Sequence, residues 1–196
     1  MVIAGVEACG LSGFVRSGLA LAVGYHYGLL HFLVTPLVLA WLYLARPVAY
    51  PRLRSALFAA TAAANLVFWT WPVAPPRFAR PGMTAILFTR DILGAAGPHG
   101  AARLVNLYAA MPSLHVAWAA WCAIAVVTTT RTRWRHLAWF YPTATTFAVL
   151  VSANHFVLDA AGGLAITALG MVATRTRRAC RPGAQPSQDA AGVAQQ

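Results

Sequence analysis

The sequence predicts an all-α fold, a polytopic membrane helix bundle of five to six transmembrane helices, and three observations predict it. The 196 residues are 59% hydrophobic and 10% charged, with a mean hydropathy of +0.61, more apolar than a soluble domain of this size needs to be. Apolar runs near the ~20 residues that cross a bilayer as a helix recur along the chain. Arginine clusters follow the first, third and fifth of the clear runs, as the positive-inside rule requires of a multi-pass protein.

Residues 1-26 form an N-terminal helix that is either interfacial or a first span, because Glu7, Arg16 and several glycines interrupt the apolar run over 2-24. No basic segment precedes that run, so it does not read as a cleaved signal peptide. The membrane domain covers 27-175, with spans near 27-45, 53-73, 112-130, 137-154 and 156-174. Between the second and third lies a loop over 74-111, rich in Pro, Gly and Arg, a length that usually carries function. Within it, residues 84-93 fit a short amphipathic helix on the membrane surface. Residues 176-196 form a basic cytoplasmic tail, expected to be disordered.

The net charge of +11 comes from fifteen arginines. Most of them flank apolar runs, which points to topology anchors and anionic membrane lipids as partners rather than nucleic acid. Cys9, Cys122 and Cys180 are odd in number and lack metal-type spacing, so neither a disulfide framework nor a zinc motif is indicated. Arg46, Arg52 and Arg54, then Arg131, Arg133 and Arg135, then Arg175, Arg177, Arg178 and Arg181 all fall on one side by helix parity, the cytoplasmic one. The long loop is then extracytoplasmic.

Parity also brings three unusual segments to that extracytoplasmic face: Pro72-Val73-Ala74-Pro75-Pro76-Arg77, Met111-Pro112-Ser113-Leu114-His115, and Asn154-His155 with Asp159. Pro112 favours a helix start, and the free amides around Ser113 make an anion site that suits a phosphate. His115 is then placed to act as a general acid; on its own, the motif also reads as an ordinary helix start with an interfacial histidine. Arg77 offers a planar two-pronged donor to phosphate oxygens, or else an anchor snorkelling to the interface. Arg80, ahead of Pro81, is a second phosphate-binding candidate, and Asn154 a third.

His155 and Asp159 stand four residues apart, so on a helix they share a face and the carboxylate can orient the ring. They admit three readings: a polar pair packing two helices, part of a metal site, and an activated nucleophile. Four acidic residues in the whole chain are too few for an oxygen-rich Mg²⁺ or Ca²⁺ site. Zinc would need His115, His155, Asp159 and His99 to close on one point. Bis-histidine haem ligation would draw on His26, His31, His115 and His155. His26 and His31 read as lining the interface or the core.

These residues resemble the type 2 phosphatidic acid phosphatase superfamily, and within it the inositol phosphorylceramide synthase-like branch. The resemblance rests on Ala74-Pro75-Pro76-Arg77, on Ala110-Met111-Pro112-Ser113-Leu114-His115, and on Asn154-His155 through Asp159 with Gly162-Gly163 beyond. It implies an integral membrane lipid phosphatase that needs neither metal nor cofactor and works through a phosphohistidine. His155 would attack phosphorus, Asp159 would orient it, and His115 would protonate the leaving alcohol. Arg77 and the amides near Ser113 would hold the non-bridging oxygens. The expected substrate is a lipid phosphomonoester or pyrophosphate; transfer of a phospho-headgroup to inositol or a sugar alcohol is the alternative. A histidine-lined transporter or haem-binding membrane protein is the alternative of another class. Two positions depart from the family pattern: Val73 stands where a lysine is usual, and Val149 where an arginine is usual.

Overall fold

The computed structural model describes residues 18–79 and 109–179. Arg80, the surface helix expected over 84-93 and the tail beyond 179 lie outside the described residues. The described residues are helical, and the extended pairing among them is one isolated parallel bridge between Val73 and Ala109.

Helix α1 (Gly18–Tyr25) passes through a π-helical turn (His26–Leu30) into α2 (His31–Ala45), so the first apolar helix runs for 28 residues without a break. The boundary expected between residues 26 and 27 falls inside this helix. Then come α3 (Tyr50–Thr70), the short α4 (Pro76–Ala79) and α5 (Leu114–Thr129). A 3-10 segment (Arg133–Trp139) leads into α6 (Phe140–Val151), and α7 (Val157–Ala179) closes the bundle. Pro51 occupies the first turn of α3, where its missing N–H costs nothing. Gly18–Ala45 and Val157–Arg175 are long and apolar enough to cross a membrane.

Helix α5 is the hub, packed by α2, α3, α6 and α7. Its buried side chains are mostly small, Ala117, Ala119, Ala120, Ala123 and Ala125 among them, and this lets several backbones approach one axis. Trp121 and Trp118 fix its register: the Trp121 indole donates to the Leu53 carbonyl at 2.9 Å, and that of Trp118 to the Thr61 hydroxyl at 3.0 Å, both on α3. The Thr167 hydroxyl donates across from α7 to the Ala117 carbonyl at 3.1 Å.

Helix α7 seats itself through two glycines seven residues apart. A side-chain carbon at Gly170 would stand 2.6 Å from the Ala56 carbonyl oxygen of α3, and one at Gly163 would overlap the Ser113 carbonyl at the head of α5. Both obstacles are backbone and cannot swing away. Gly163→Ala is therefore expected to lower the melting temperature of the purified protein and to cost about 1–3 kcal/mol, the range for overpacking. Gly18→Ala, where an added carbon meets nothing within 4 Å, is the matched control and should melt as the wild type does.

Candidate active site

The site is assembled at one end of the bundle by main-chain bonds through Ala110. The Ala110 amide donates to the Val73 carbonyl at 3.2 Å, tying the segment before α5 to the segment before α4. The Ala110 carbonyl in turn lies 2.8 Å from Nδ1 of His155. A third bond, from the Ser113 amide to the Asp159 carbonyl at 2.9 Å, holds the head of α5 against the first turn of α7. The three segments that carry the unusual residues are thus brought together.

His155 sits where the chain reverses from α6 to α7. Ala153 takes a left-handed conformation with φ of 56°, unusual for a residue with a side chain. The Asn154 side-chain amide closes the turn on Ser152, at 3.2 Å from its carbonyl and 3.0 Å from its hydroxyl. Asp159 then caps the new helix, its Oδ2 accepting the Phe156 amide at 2.8 Å. The same oxygen is 3.6 Å from His155 Nδ1, and His155 and Asp159 are both buried. The imidazole therefore has a nearer partner than the carboxylate. A carbonyl oxygen can only accept, so the bond to Ala110 places the proton on Nδ1 and leaves the neutral ring's lone pair on Nε2.

His115, in the first turn of α5, has its ring 5.8 Å from that of His155, centre to centre. Two residues of the first helix complete its surroundings. Tyr27 stacks on His115 at 4.3 Å with the planes 20° apart, and His31 meets it edge-on at 4.2 Å. Tyr27 also lies 6.3 Å from His155. The π-helical turn that carries His26 and Tyr27 aims both at the bundle: His26 reaches the Thr145 hydroxyl of α6 at 3.0 Å. Such turns are frequent at functional sites.

The Ser113 hydroxyl, at the head of α5, is fully buried and makes no hydrogen bond. A buried donor left unsatisfied is costly, and marks a place where a further acceptor fits. Arg77 lies in α4, directly after Pro75 and Pro76, on the segment that Ala110 anchors. Val149 is fully buried and clusters with Val116 and Ala160, so that position is part of the apolar core and supplies no donor.

Two groups beside the site were not expected there from the sequence, the Ala110 carbonyl and Tyr27, and His31, expected to line the interface or the core, lies against His115.

A family model of the PAP2 superfamily matches residues 14–173, a stretch that contains every described element up to most of α7. The chain belongs to the PAP2 superfamily. No curated protein and no solved structure matches it significantly. Membership of the PAP2 superfamily supports a phosphatase-type function for the chain. At His155 the Ala110 carbonyl is the nearer partner of Nδ1, and the Asp159 carboxyl group, 3.6 Å away, caps the following helix.

Proposed function

We propose that this PAP2 protein is an integral membrane lipid phosphatase that hydrolyses a lipid phosphomonoester or pyrophosphate through a phosphohistidine on His155. The observation that carries the reading is the 2.8 Å contact between His155 Nδ1 and the Ala110 carbonyl, which leaves Nε2 as the nucleophile, with the His115 ring 5.8 Å away.

In the first step Nε2 of His155 attacks phosphorus, the bond to the leaving oxygen breaks, and His115 delivers a proton to that oxygen. In the second, His115 takes a proton from water, the water oxygen attacks phosphorus, and the P–N bond breaks to release phosphate. Arg77, the amides at the head of α5 and the Ser113 hydroxyl hold the non-bridging oxygens, where the transferring group needs its charge balanced. Arg80 and Asn154 are secondary candidates for the same role. The phosphoimidazole is cationic as it forms, and the Asp159 carboxylate 3.6 Å from Nδ1 offsets that charge. Asp159→Asn keeps an acceptor for the Phe156 amide, so it is expected to fold normally. Turnover should fall on the order of 10²-fold from the lost charge–charge attraction. Equal activity in the folded variant would remove Asp159 from the mechanism.

The helices cross the bilayer five times, with the histidines at the extracytoplasmic end. This reading is supported by the apolar outward faces, where Phe32, Leu33, Leu37, Phe58, Leu66, Phe147 and Leu169 are all exposed. It is supported as well by the gathering of Arg46, Arg52, Arg131 and Arg135 around one pocket, which puts the first two basic clusters on one side. Residues 27-175, extended back to Gly18 by the continuous helix, form the catalytic domain. We place the chain in the inositol phosphorylceramide synthase-like branch on its resemblance to that branch, in which loss of the usual arginine, here Val149, is tolerated.

The test is phosphate release by the purified protein from phosphatidic acid, polyprenyl pyrophosphate and phosphatidylglycerol phosphate in excess EDTA, with and without inositol. Undiminished release under chelation is expected. Activity that EDTA abolishes and a divalent cation restores would overturn the metal-free mechanism. Label passing to inositol instead of water would make the protein a phosphotransferase.

A further inference from the structure

A second site lies at the far end of α5. Helix α5 begins beside His155 and ends at Thr129, and 16 residues at ~1.5 Å each separate its two ends by about 24 Å. At that end a pocket of about 630 Å³ opens between the turn after α2, the first turn of α3 and the segment after α5. Four arginines line it: Arg46, Arg52, Arg131 and Arg135. The volume falls in the range of small-molecule sites, roughly 300–1,000 Å³.

The pocket's own negative groups are already satisfied. Helix ends bring unpaired carbonyls to it, but Arg46 donates from Nε to the Thr129 carbonyl at 3.0 Å and from Nη1 to the Ala45 carbonyl at 3.0 Å. Arg135 donates to the Thr130 carbonyl at 3.3 Å. These bonds fix two guanidiniums in place and leave them further N–H donors. Arg46 is braced again by the Trp41 ring, 5.6 Å from its central carbon. Arg52 and Arg131 add two more positive charges, and the α3 N-terminus adds the positive end of its dipole. Asp159 is the only acidic side chain among the described residues, and it lies at the opposite end of α5. The excess positive charge therefore has no counterpart among the described residues.

The surroundings indicate where an anion would come from. Tyr43, Leu44 and Val48 beside the pocket, and Trp134 and Leu137 on the adjoining 3-10 segment, are exposed apolar or aromatic residues of the kind that sit at headgroup depth. We propose that this pocket binds the phosphate of an anionic phospholipid headgroup, as a site separate from the histidine centre. Thr130 also lines the pocket beside the arginines, whereas the Thr129 hydroxyl is committed to the Ala125 carbonyl at 2.6 Å.

The test uses the full chain in zwitterionic detergent micelles, with melting followed as phosphatidylglycerol, phosphatidylcholine or inorganic phosphate is added. Phosphatidylglycerol is expected to raise the melting temperature, and the other two to leave it unmoved. Each arginine near an anionic surface contributes about fivefold in affinity, so Arg52→Gln with Arg131→Gln should weaken the apparent affinity roughly 25-fold. Arg131→Gln alone, at an exposed position that leaves the fold intact, should weaken it about fivefold. His155→Asn should leave the response unchanged, which separates this site from the histidine centre. A response undiminished in the arginine variants, one lost in His155→Asn, or an equal shift with inorganic phosphate would each overturn the proposal.

Discussion

Replacing His155 with asparagine is expected to abolish phosphate release while leaving the protein folded. Asparagine is the informative choice because its amide nitrogen sits near the place of Nδ1 and can still donate to the Ala110 carbonyl. Alanine would leave that buried carbonyl unpaired, at a cost of about 1–3 kcal/mol, and would confuse lost chemistry with lost structure. With asparagine the missing group is Nε2 alone. Removal of a covalent nucleophile acts on a scale of roughly 10⁴-fold or more, so residual turnover should be near background. Wild-type protein quenched in base after brief exposure to ³²P-labelled substrate should carry acid-labile label, and the asparagine variant none. Full activity in the folded variant would assign the nucleophile elsewhere.

His115→Gln should lower turnover of a lipid phosphate by about 10²- to 10⁴-fold, the usual contribution of a general acid. The size of the loss should depend on the leaving group. A lipid alkoxide is a poor leaving group and needs the proton; p-nitrophenolate is stable without one. The variant should therefore form the phosphoenzyme from p-nitrophenyl phosphate at close to the wild-type rate, read as the burst of nitrophenolate in a rapid-mixing experiment. The steady state should stay slow, because hydrolysis of the intermediate needs His115 as base. An equal defect with both substrates in the burst would reduce His115 to a packing residue between Tyr27 and His31.

Much of this arrangement is legible in the amino-acid sequence alone, and the reason is how apolar the chain is. Where polar groups are few, each one present is informative, and the expected helix parity then assigns the ends. Parity and the arginine clusters are enough to put His115, His155 and the Arg77 segment at one end. The partner of His155 is not legible. An i,i+4 carboxylate is visible in a sequence, whereas a main-chain carbonyl 45 residues away carries no residue type to mark it. The role of the first helix is hidden for a different reason. Five residues of regular α-helix turn through about 500°, leaving the two ends about 140° apart, so the spacing of His26 and His31 points them different ways. The π-helical turn at His26–Leu30 changes that register, and nothing in its composition announces it. The helix start is hidden too: the apolar run expected to begin at 27 joins Gly18 in one continuous helix.

Ala110 has a consequence for how this protein can be studied and how it can vary. Its methyl group takes no part in joining the three segments; the peptide units on either side supply two of the three bonds that do, the third running from the Ser113 amide to the Asp159 carbonyl. A systematic replacement of side chains by alanine would pass over this position in silence, and drift among small residues there would leave the bonds untouched. Only an edit to the main chain reaches them, such as proline to delete the donor, or an ester in place of the amide. The joint that holds the His155 ring steady is thus out of reach of most single-codon changes.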